Sequence, residues 1–205
     1  MGDPAGCGPA ITAAAWRQLR ADPGLSFYVI GAPELYAATV PVREIASPDE
    51  ARGVFADALP VLALSGVPDI RPGEPNADAA PAIIRSIALA TSHALDGLAG
   101  GLVTNPINKA LLYGAGFAYP GHTEYVAHLC AEPHAKPPRP VMMLVGGGLR
   151  VALATIHMPL MDVAKALTVP DLVELGHIVA QAMMRDFGIS APRLAFSGLN
   201  PHAGE

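Results

Sequence analysis

The stretch Phe117–Glu124 contains two residues suited to binding a ligand or to catalysis, His122 and Thr123. Pro120 and Gly121 interrupt the preceding pattern, and we predict that the Thr123 hydroxyl caps the helix that follows. His122 would then lie at the start of a helix, where free N–H groups and the helix dipole favour an anion such as phosphate. The alternative is an ordinary junction between a loop and a helix, with a surface histidine.

Two further histidines, His157 and His202, follow segments that we predict as strands, Arg150–Thr155 and Arg193–Ser197. In open α/β sheets, ligands collect outside the carboxyl ends of the strands. A neutral imidazole is a good ligand for Zn²⁺ and other transition ions. Each histidine taken alone is equally consistent with a hydrogen-bonded loop residue, and the spacing between the two does not itself indicate a metal.

A third segment that follows a predicted strand is Asn105–Lys109, which comes after Leu102–Thr104 and leads into a helix. Lys109 is its last residue. A lysine here would place a positive charge beside an anionic substrate, or would simply be solvated in the first turn of the helix. The sequence does not separate these two interpretations. The other four histidines have no comparable setting, and most are expected on the surface: His93, His128, His134 and His177.

The chain opens on a glycine-rich turn, Gly2–Pro9, in which Pro9 suits the first position of a helix. Such a turn allows the phosphate or carboxylate of a ligand to approach closely. It lacks the Gly-Lys-Ser/Thr of a Walker loop and the spaced dinucleotide fingerprint. Turns of this kind normally follow a strand, and only Met1 precedes this one, so we expect the chain to be truncated at its start.

The composition indicates a globular protein with a sizeable core, since 51% of the 205 residues are hydrophobic and 15% are charged. A net charge of −5 without a basic run gives no reason to expect nucleic acid. We interpret Cys7 and Cys130 as two reduced thiols. No apolar run reaches membrane-spanning length and no signal region opens the chain, so we expect a soluble cytoplasmic protein.

Short strands alternate with helices along the chain, which predicts an α/β fold with a largely parallel sheet. The predicted elements not yet named are the strands Phe27–Ile30, Val61–Leu64 and Val141–Val145, and the helices Pro33–Ala38, Ala77–Leu95, Leu160–Leu167 and one that follows Thr168. Asn76 and Thr168 are the predicted caps of the two long helices. Gly146–Gly148 would form the turn between two adjacent strands.

Five segments, taken together and in order, carry a family resemblance. They are Gly2–Pro9, Thr104–Lys109, Pro120–Glu124, Arg150–Leu160 and Gly198–Glu205. With these segments the chain resembles the 4-hydroxythreonine-4-phosphate dehydrogenases, NAD-dependent enzymes of vitamin B6 biosynthesis, over nearly its whole length.

The resemblance implies two α/β domains similar to those of isocitrate and isopropylmalate dehydrogenases, with the active site in a cleft and at a homodimer interface. We place the first domain at residues 1–118. The second would begin at residue 119 and continue to residue 205, with dimerisation and metal-site elements. Both domains are expected to be incomplete, the first because the chain is expected to be truncated at its start and the second because the family continues beyond Glu205.

The resemblance also implies roles for individual residues. His122 and Thr123 match residues that hold the substrate near its phosphate, and His157 and His202 match two of three histidines that bind a divalent metal such as zinc, magnesium or cobalt. Lys109 is our candidate catalytic residue. The implied reaction is metal-assisted hydride transfer to NAD or NADP, followed by decarboxylation of a β-keto acid. The third metal histidine, further substrate-binding residues and much of the nucleotide site are expected beyond Glu205.

Two positions depart from the family pattern, since Ala10 stands where an acidic residue is usual and Asn105 where a small residue is usual. Relatives with similar motifs oxidise four-carbon phosphorylated sugar acids or cis-dihydrodiol dicarboxylates, and the sequence separates these substrates poorly. A hypothesis of another class is a catalytically inactive truncated product that retains metal or anion binding. Truncation would also leave apolar sheet edges and faces uncovered, which favours aggregation.

Overall fold

The computed structural model describes residues 1–202, so Ala203, Gly204 and Glu205 of the last motif segment lie outside the described residues. The chain divides into two compact units, Met1–Pro138 and Arg139–Glu205. Each unit is described by itself below. The domain boundary after residue 118 stays a prediction.

A three-stranded parallel sheet forms the centre of the first unit. Its strands are β1 (Val29–Gly31), β2 (Val42–Ile45) and β3 (Leu59–Ala63), in the order β1-β3-β2. Both outer strands pair with β3 in parallel, and Val61 lies opposite both Val29 and Glu44. The predicted parallel sheet is therefore confirmed. Strand β2 was not predicted, because two of its four residues are exposed and charged and conceal the apolar pattern.

Six α-helices accompany the sheet within the described part of this unit. They are α1 (Gly8–Leu19), α2 (Glu34–Ala37), α3 (Ala51–Val54), α4 (Ala80–Leu95), α5 (Lys109–Gly114) and α6 (His122–Leu129). Pro9 lies in the first turn of α1, as predicted. The Asn76 side chain accepts a hydrogen bond of 2.8 Å from the Asp78 amide, which starts a short 3₁₀ turn that continues into α4. This capping residue was also correctly predicted.

Two apolar clusters hold the first unit together. In the first, the buried Trp16 of α1 packs with Tyr36 and with the central strand, and its indole N–H donates to the Phe55 carbonyl at 2.8 Å. In the second, residues of α4, α5 and α6 pack together, with Leu112 and Ile83 almost completely buried. The second cluster fixes α5 and α6 against α4, and the candidate site lies at the starts of these two helices.

The second unit begins with a hairpin of two antiparallel strands, β4 (Met143–Gly146) and β5 (Leu149–Ala152). Gly147 and Gly148 form its turn with φ angles of 56° and 81°, a backbone region that favours glycine. Two helices follow, α7 (Leu160–Ala166) and α8 (Val169–Arg185). The Thr168 hydroxyl accepts a hydrogen bond from the Asp171 amide at 3.3 Å, so the predicted cap of α8 is confirmed.

The core of the second unit is small. Its buried members are Leu175, Val179 and Met183, all on one face of α8, with partly buried residues of the hairpin packed against them. Large apolar side chains elsewhere in this unit are exposed, among them Leu149 and Leu160.

Two predicted strands, Leu102–Thr104 and Arg193–Ser197, are wrong. Within residues 1–202 neither segment is paired in a β-ladder, and Val103 is fully exposed. A β-branched sequence favours an extended backbone, but a strand also needs a neighbouring strand for its amides and carbonyls. The described residues also contain no helix with the length and apolarity needed to cross a bilayer.

Candidate functional site

Helix α5 places Lys109 at its first position. The preceding residue, Asn108, has an extended backbone, and its side-chain oxygen accepts a hydrogen bond of 3.4 Å from the Leu111 amide. Leu112, one turn further along, is completely buried in the second cluster. Asn108 therefore sets where the helix starts and Leu112 anchors it, while the Lys109 side chain lies on its exposed side.

Lys109 lies beside the start of helix α6. A Cβ atom placed on Gly121 would lie 3.6 Å from the Lys109 Nζ and equally far from Oε2 of Glu124. The space in front of the first turn of α6 is therefore shared by an ammonium group and a carboxylate. The charge of Lys109 also acts on His122, the first residue of the helix.

The predicted capping role of Thr123 is wrong. Gly121 occupies the N-cap position of α6 with an extended backbone, and no side chain caps this helix. Thr123 is the second helical residue and is exposed. The orphan amides of the first turn are therefore not satisfied by a capping side chain, which is the condition under which a helix start attracts an anion.

His122 is half-buried. Burial lowers the pKa of its imidazole below the usual 6.5, and the positive charges of Lys109 and of the amino terminus lower this pKa further. The ring is consequently neutral near pH 7. A neutral imidazole has one N–H donor and one acceptor nitrogen.

The glycine-rich opening turn packs directly against the loop that precedes α5. The Asp3 amide donates to the Pro106 carbonyl at 2.9 Å, and the buried Asp3 carboxylate accepts from the Ala5 amide at 3.0 Å. A Cβ atom on Gly2 would lie only 2.3 Å from the Pro106 oxygen. The close approach of the two backbones therefore requires glycine at position 2.

A small cavity of about 30 Å³ lies where these segments meet. Its walls include Met1, Ser86, Thr104, Asn105 and His122. Three of the five motif segments thus come together in the first unit, at the opening turn, at Thr104–Lys109 and at Pro120–Glu124.

The two histidines of the second unit are placed differently. His157 is exposed and has a left-handed backbone with φ of 49°, which is uncommon for a residue with a side chain. His202 is also exposed, and its amide donates to the Asn200 side-chain oxygen at 2.8 Å. No group of three or more His, Cys, Asp or Glu residues able to hold a metal occurs within residues 1–202. The assignment of both histidines as metal ligands stays a prediction.

A larger cavity of about 300 Å³ lies next to the His157 segment, with Thr155, Ile156 and Met158 in its wall. Arg139 also lines it and donates to the Asp171 carbonyl at 3.1 Å and to the Glu174 carboxylate at 2.9 Å. Arg139 was not singled out from the sequence. A single arginine in a proline-rich stretch carries no pattern that would have marked it.

Comparison with known proteins shows the family of the chain. Residues 26–205 match the family model described as "Pyridoxal phosphate biosynthetic protein PdxA". The chain is 50% identical to a 4-hydroxythreonine-4-phosphate dehydrogenase of Caulobacter vibrioides and 47% identical to one of Xanthobacter autotrophicus. In both cases all of this chain aligns, with 62% and 60% of the relative covered.

Solved structures show the same likeness. The crystal structure of a 4-hydroxythreonine-4-phosphate dehydrogenase from Klebsiella pneumoniae has a TM-score of 0.81 at 35% identity, and 62% of that chain is covered. A putative enzyme of the same name from Salmonella typhimurium has a TM-score of 0.84 at 32% identity, with 64% covered. All of this chain aligns with each of the two structures. This chain therefore spans less than two thirds of the length of either solved chain. The mixed α/β fold of this chain is thus the fold of these structures, and the chain belongs to the family of the pyridoxal phosphate biosynthetic protein PdxA.

Proposed function

We propose that this chain acts in the NAD-dependent oxidation of 4-phosphooxy-L-threonine. The product would be a β-keto acid that decarboxylates to 3-amino-2-oxopropyl phosphate, on the route to pyridoxal 5′-phosphate. The observation that carries the proposal is the convergence of three motif segments around His122 in the first unit. The relatives that align over all of this chain are named 4-hydroxythreonine-4-phosphate dehydrogenases.

The substrate phosphate would bind at the start of helix α6. The first-turn amides have no capping side chain there, and the helix dipole adds partial positive charge. The exposed hydroxyl of Thr123 and an N–H of the neutral His122 ring can each donate a hydrogen bond to a phosphate oxygen. A need for phosphate in substrate binding would distinguish this reaction from oxidation of a cis-dihydrodiol dicarboxylate.

Lys109 would supply the full positive charge of this subsite. Its ammonium group lies beside Gly121, close enough to the helix start to contact an anion bound there. The Glu124 carboxylate occupies the same space and opposes an entering anion. We therefore assign Lys109 a favourable electrostatic role toward the substrate and expect Glu124 to weaken phosphate binding.

A divalent metal would be held by His157 and His202. Imidazole nitrogens suit Zn²⁺ and Co²⁺ and also occur at sites of other divalent ions. Two histidines are fewer than the usual three protein donors, so the remaining ligands would have to come from outside residues 1–202. When bound, such an ion would supply Lewis-acid chemistry at the substrate hydroxyl and would make its deprotonation easier. Zinc, magnesium and cobalt are all compatible with this role.

NAD, or alternatively NADP, would accept the hydride, and we assign no residue of this chain to the nucleotide. We also propose that the whole protein is a cytoplasmic homodimer with two domains resembling those of isocitrate and isopropylmalate dehydrogenases. These proposals rest on the resemblance of the motifs.

The direct test is NADH formation from 4-phosphooxy-L-threonine by the 205-residue chain and by a chain extended to the length of its relatives, each with and without Zn²⁺, Mg²⁺ or Co²⁺. We expect metal-dependent turnover that His157→Ala and His202→Ala abolish, with His177→Ala as the matched control on an exposed histidine of the same unit. Turnover by the extended chain alone would locate essential groups beyond residue 205. Absence of turnover in both folded chains, with all three metals, would contradict the proposed activity and favour a non-catalytic product.

A further inference from the structure

Asn105 joins three parts of the candidate site. Its side-chain N–H donates a hydrogen bond of 2.9 Å to the hydroxyl of Thr12 on helix α1. A Cβ atom on Gly8 would lie 3.2 Å from the Asn105 Cβ and 3.3 Å from its Cγ, so the opening turn fits tightly over this side chain. Asn105 also lines the small cavity beside His122.

Backbone hydrogen bonds between the loop around Asn105 and the opening turn add to this connection. The residue after Asn105, Pro106, accepts the Asp3 amide, and Asp3 in turn accepts the amides of Ala5 and Gly6. The opening turn therefore has few ways to move without breaking either the Asn105–Thr12 bond or this short series of bonds. Turns rich in glycine have high backbone entropy when they are not held.

We propose that Asn105 is a positioning residue for the phosphate subsite assigned above. By bonding to Thr12 it holds the start of helix α1, and with it the opening turn, against the loop that precedes α5. This fixes Asn105 in the wall of the cavity that His122 also lines. The inference rests on the proposed function for its ligand, but the tethering of the turn can be measured without any ligand.

The experiment compares wild type with Thr12→Val, Thr12→Ser, Asn105→Ala and the Thr12→Val/Asn105→Ala double variant, all in the 205-residue chain. Valine keeps the shape of threonine and removes the hydroxyl, while serine keeps the hydroxyl and is the matched control. Amide hydrogen exchange at Asp3, Ala5 and Gly6 reports opening of the turn, since each of these amides is hydrogen-bonded. Amides of α8 in the second unit report general loss of structure.

We expect the exchange rates of these three amides to rise about five- to ten-fold in Thr12→Val and Asn105→Ala. This is the effect expected from the loss of one hydrogen bond. The double variant should be no faster than the faster single variant, because both changes remove the same bond. Thr12→Ser should match wild type. Affinity for inorganic phosphate, measured from the NMR shift of the His122 ring, should fall several-fold in the same variants that speed up exchange.

Unchanged exchange in both single variants would overturn the tethering role. Faster exchange with unchanged phosphate affinity would overturn the positioning role. If wild type shows no phosphate binding at His122, the phosphate subsite itself is wrong and the positioning role is overturned with it. The exchange rates then still decide whether Asn105 tethers the turn.

Discussion

The two units of this chain hold their candidate residues in contrasting ways. In the first unit, Lys109 and His122 begin helices that are anchored by the buried Leu112 and Tyr125. In the second unit, His157 lies on an exposed segment between a hairpin and a helix, and the apolar core consists of a few residues on one face of α8.

This contrast bears on which part of the site is preorganised. Groups that bind a substrate precisely need neighbours whose own conformations are fixed by packing. The residues assigned to the phosphate have such neighbours within their own unit. His157 and His202 are exposed, and the small buried core of their unit lies on one face of α8.

The largest expected difference between the units comes from the same core truncation made in each. Leu112→Ala should lower the free energy of unfolding by about 3–5 kcal/mol, because a completely buried leucine leaves a cavity in a dense cluster. Leu175→Ala should cost less, about 2 kcal/mol, because its smaller cluster can collapse around the gap. Urea unfolding followed by circular dichroism measures both. An equal or larger loss for Leu175→Ala would contradict the contrast between the two cores.

The next effect concerns the close backbone contact at the opening turn. Gly2→Ala should destabilise the first unit by about 1–3 kcal/mol, because the new methyl group would overlap the Pro106 carbonyl. Gly53→Ala in α3 is the matched control, since a Cβ there meets no atom within 4 Å. The control should be neutral or stabilising by up to about 1 kcal/mol. Thermal unfolding of both variants decides whether position 2 needs glycine.

A smaller effect compares two threonines at helix starts. Thr168→Ala should cost about 1 kcal/mol, because it removes the cap of α8 in the second unit. Thr123→Ala should change the free energy of unfolding by less than about 0.5 kcal/mol, because this exposed hydroxyl caps nothing. If the two substitutions cost the same, Thr123 has a capping function in solution and the assignment of Gly121 as N-cap is wrong.

The smallest effect is electrostatic. Lys109→Met should raise the pKa of His122 toward its usual value without reaching it, because burial, the larger cause of the lowered pKa, remains. Lys109→Arg keeps the charge and is the control. An NMR titration of the His122 ring in the three chains measures this shift. An unchanged pKa in Lys109→Met would show that the lysine does not act on the histidine.

The same lowered pKa makes stability depend on pH. The unfolded chain binds a proton at His122 near pH 6.5, whereas the folded chain binds it only at lower pH. The contribution of His122 is therefore fully present above pH 6.5 and is lost as the pH falls from there to the folded-state pKa. His122→Gln should remove this part of the pH dependence, as seen by unfolding at a series of pH values.

Much of the fold could be predicted because its signals are local. The capping residues Asn76 and Thr168 precede long apolar periods, and both cap as expected. Strand β2 was not predicted because its exposed charged residues hide the apolar pattern of a strand. The two strands predicted wrongly have no pairing partner among the described residues, and no local pattern reveals whether a partner exists. The cap of α6 was misassigned because Gly121 and Thr123 are both acceptable caps and lie two residues apart.

For the candidate site, the individual candidate residues could be identified from their types in the sequence. Their grouping into one site came from the family resemblance. The contact between Asn105 and Thr12 joins positions 93 residues apart, and neither residue carries a pattern that predicts it. The left-handed backbone of His157 likewise follows from no local pattern in the sequence.

The most direct test of the proposed phosphate subsite is a titration of the 205-residue chain with inorganic phosphate, followed by NMR at the His122 ring and at the amides of Gly121 and Thr123. We expect saturable shifts at these groups, weaker binding in Lys109→Met and tighter binding in Glu124→Gln, because the two side chains share the space before helix α6 with opposite charges. Absence of saturable shifts at His122, or equal affinity in all three chains, would contradict the claim that the first unit holds the substrate phosphate.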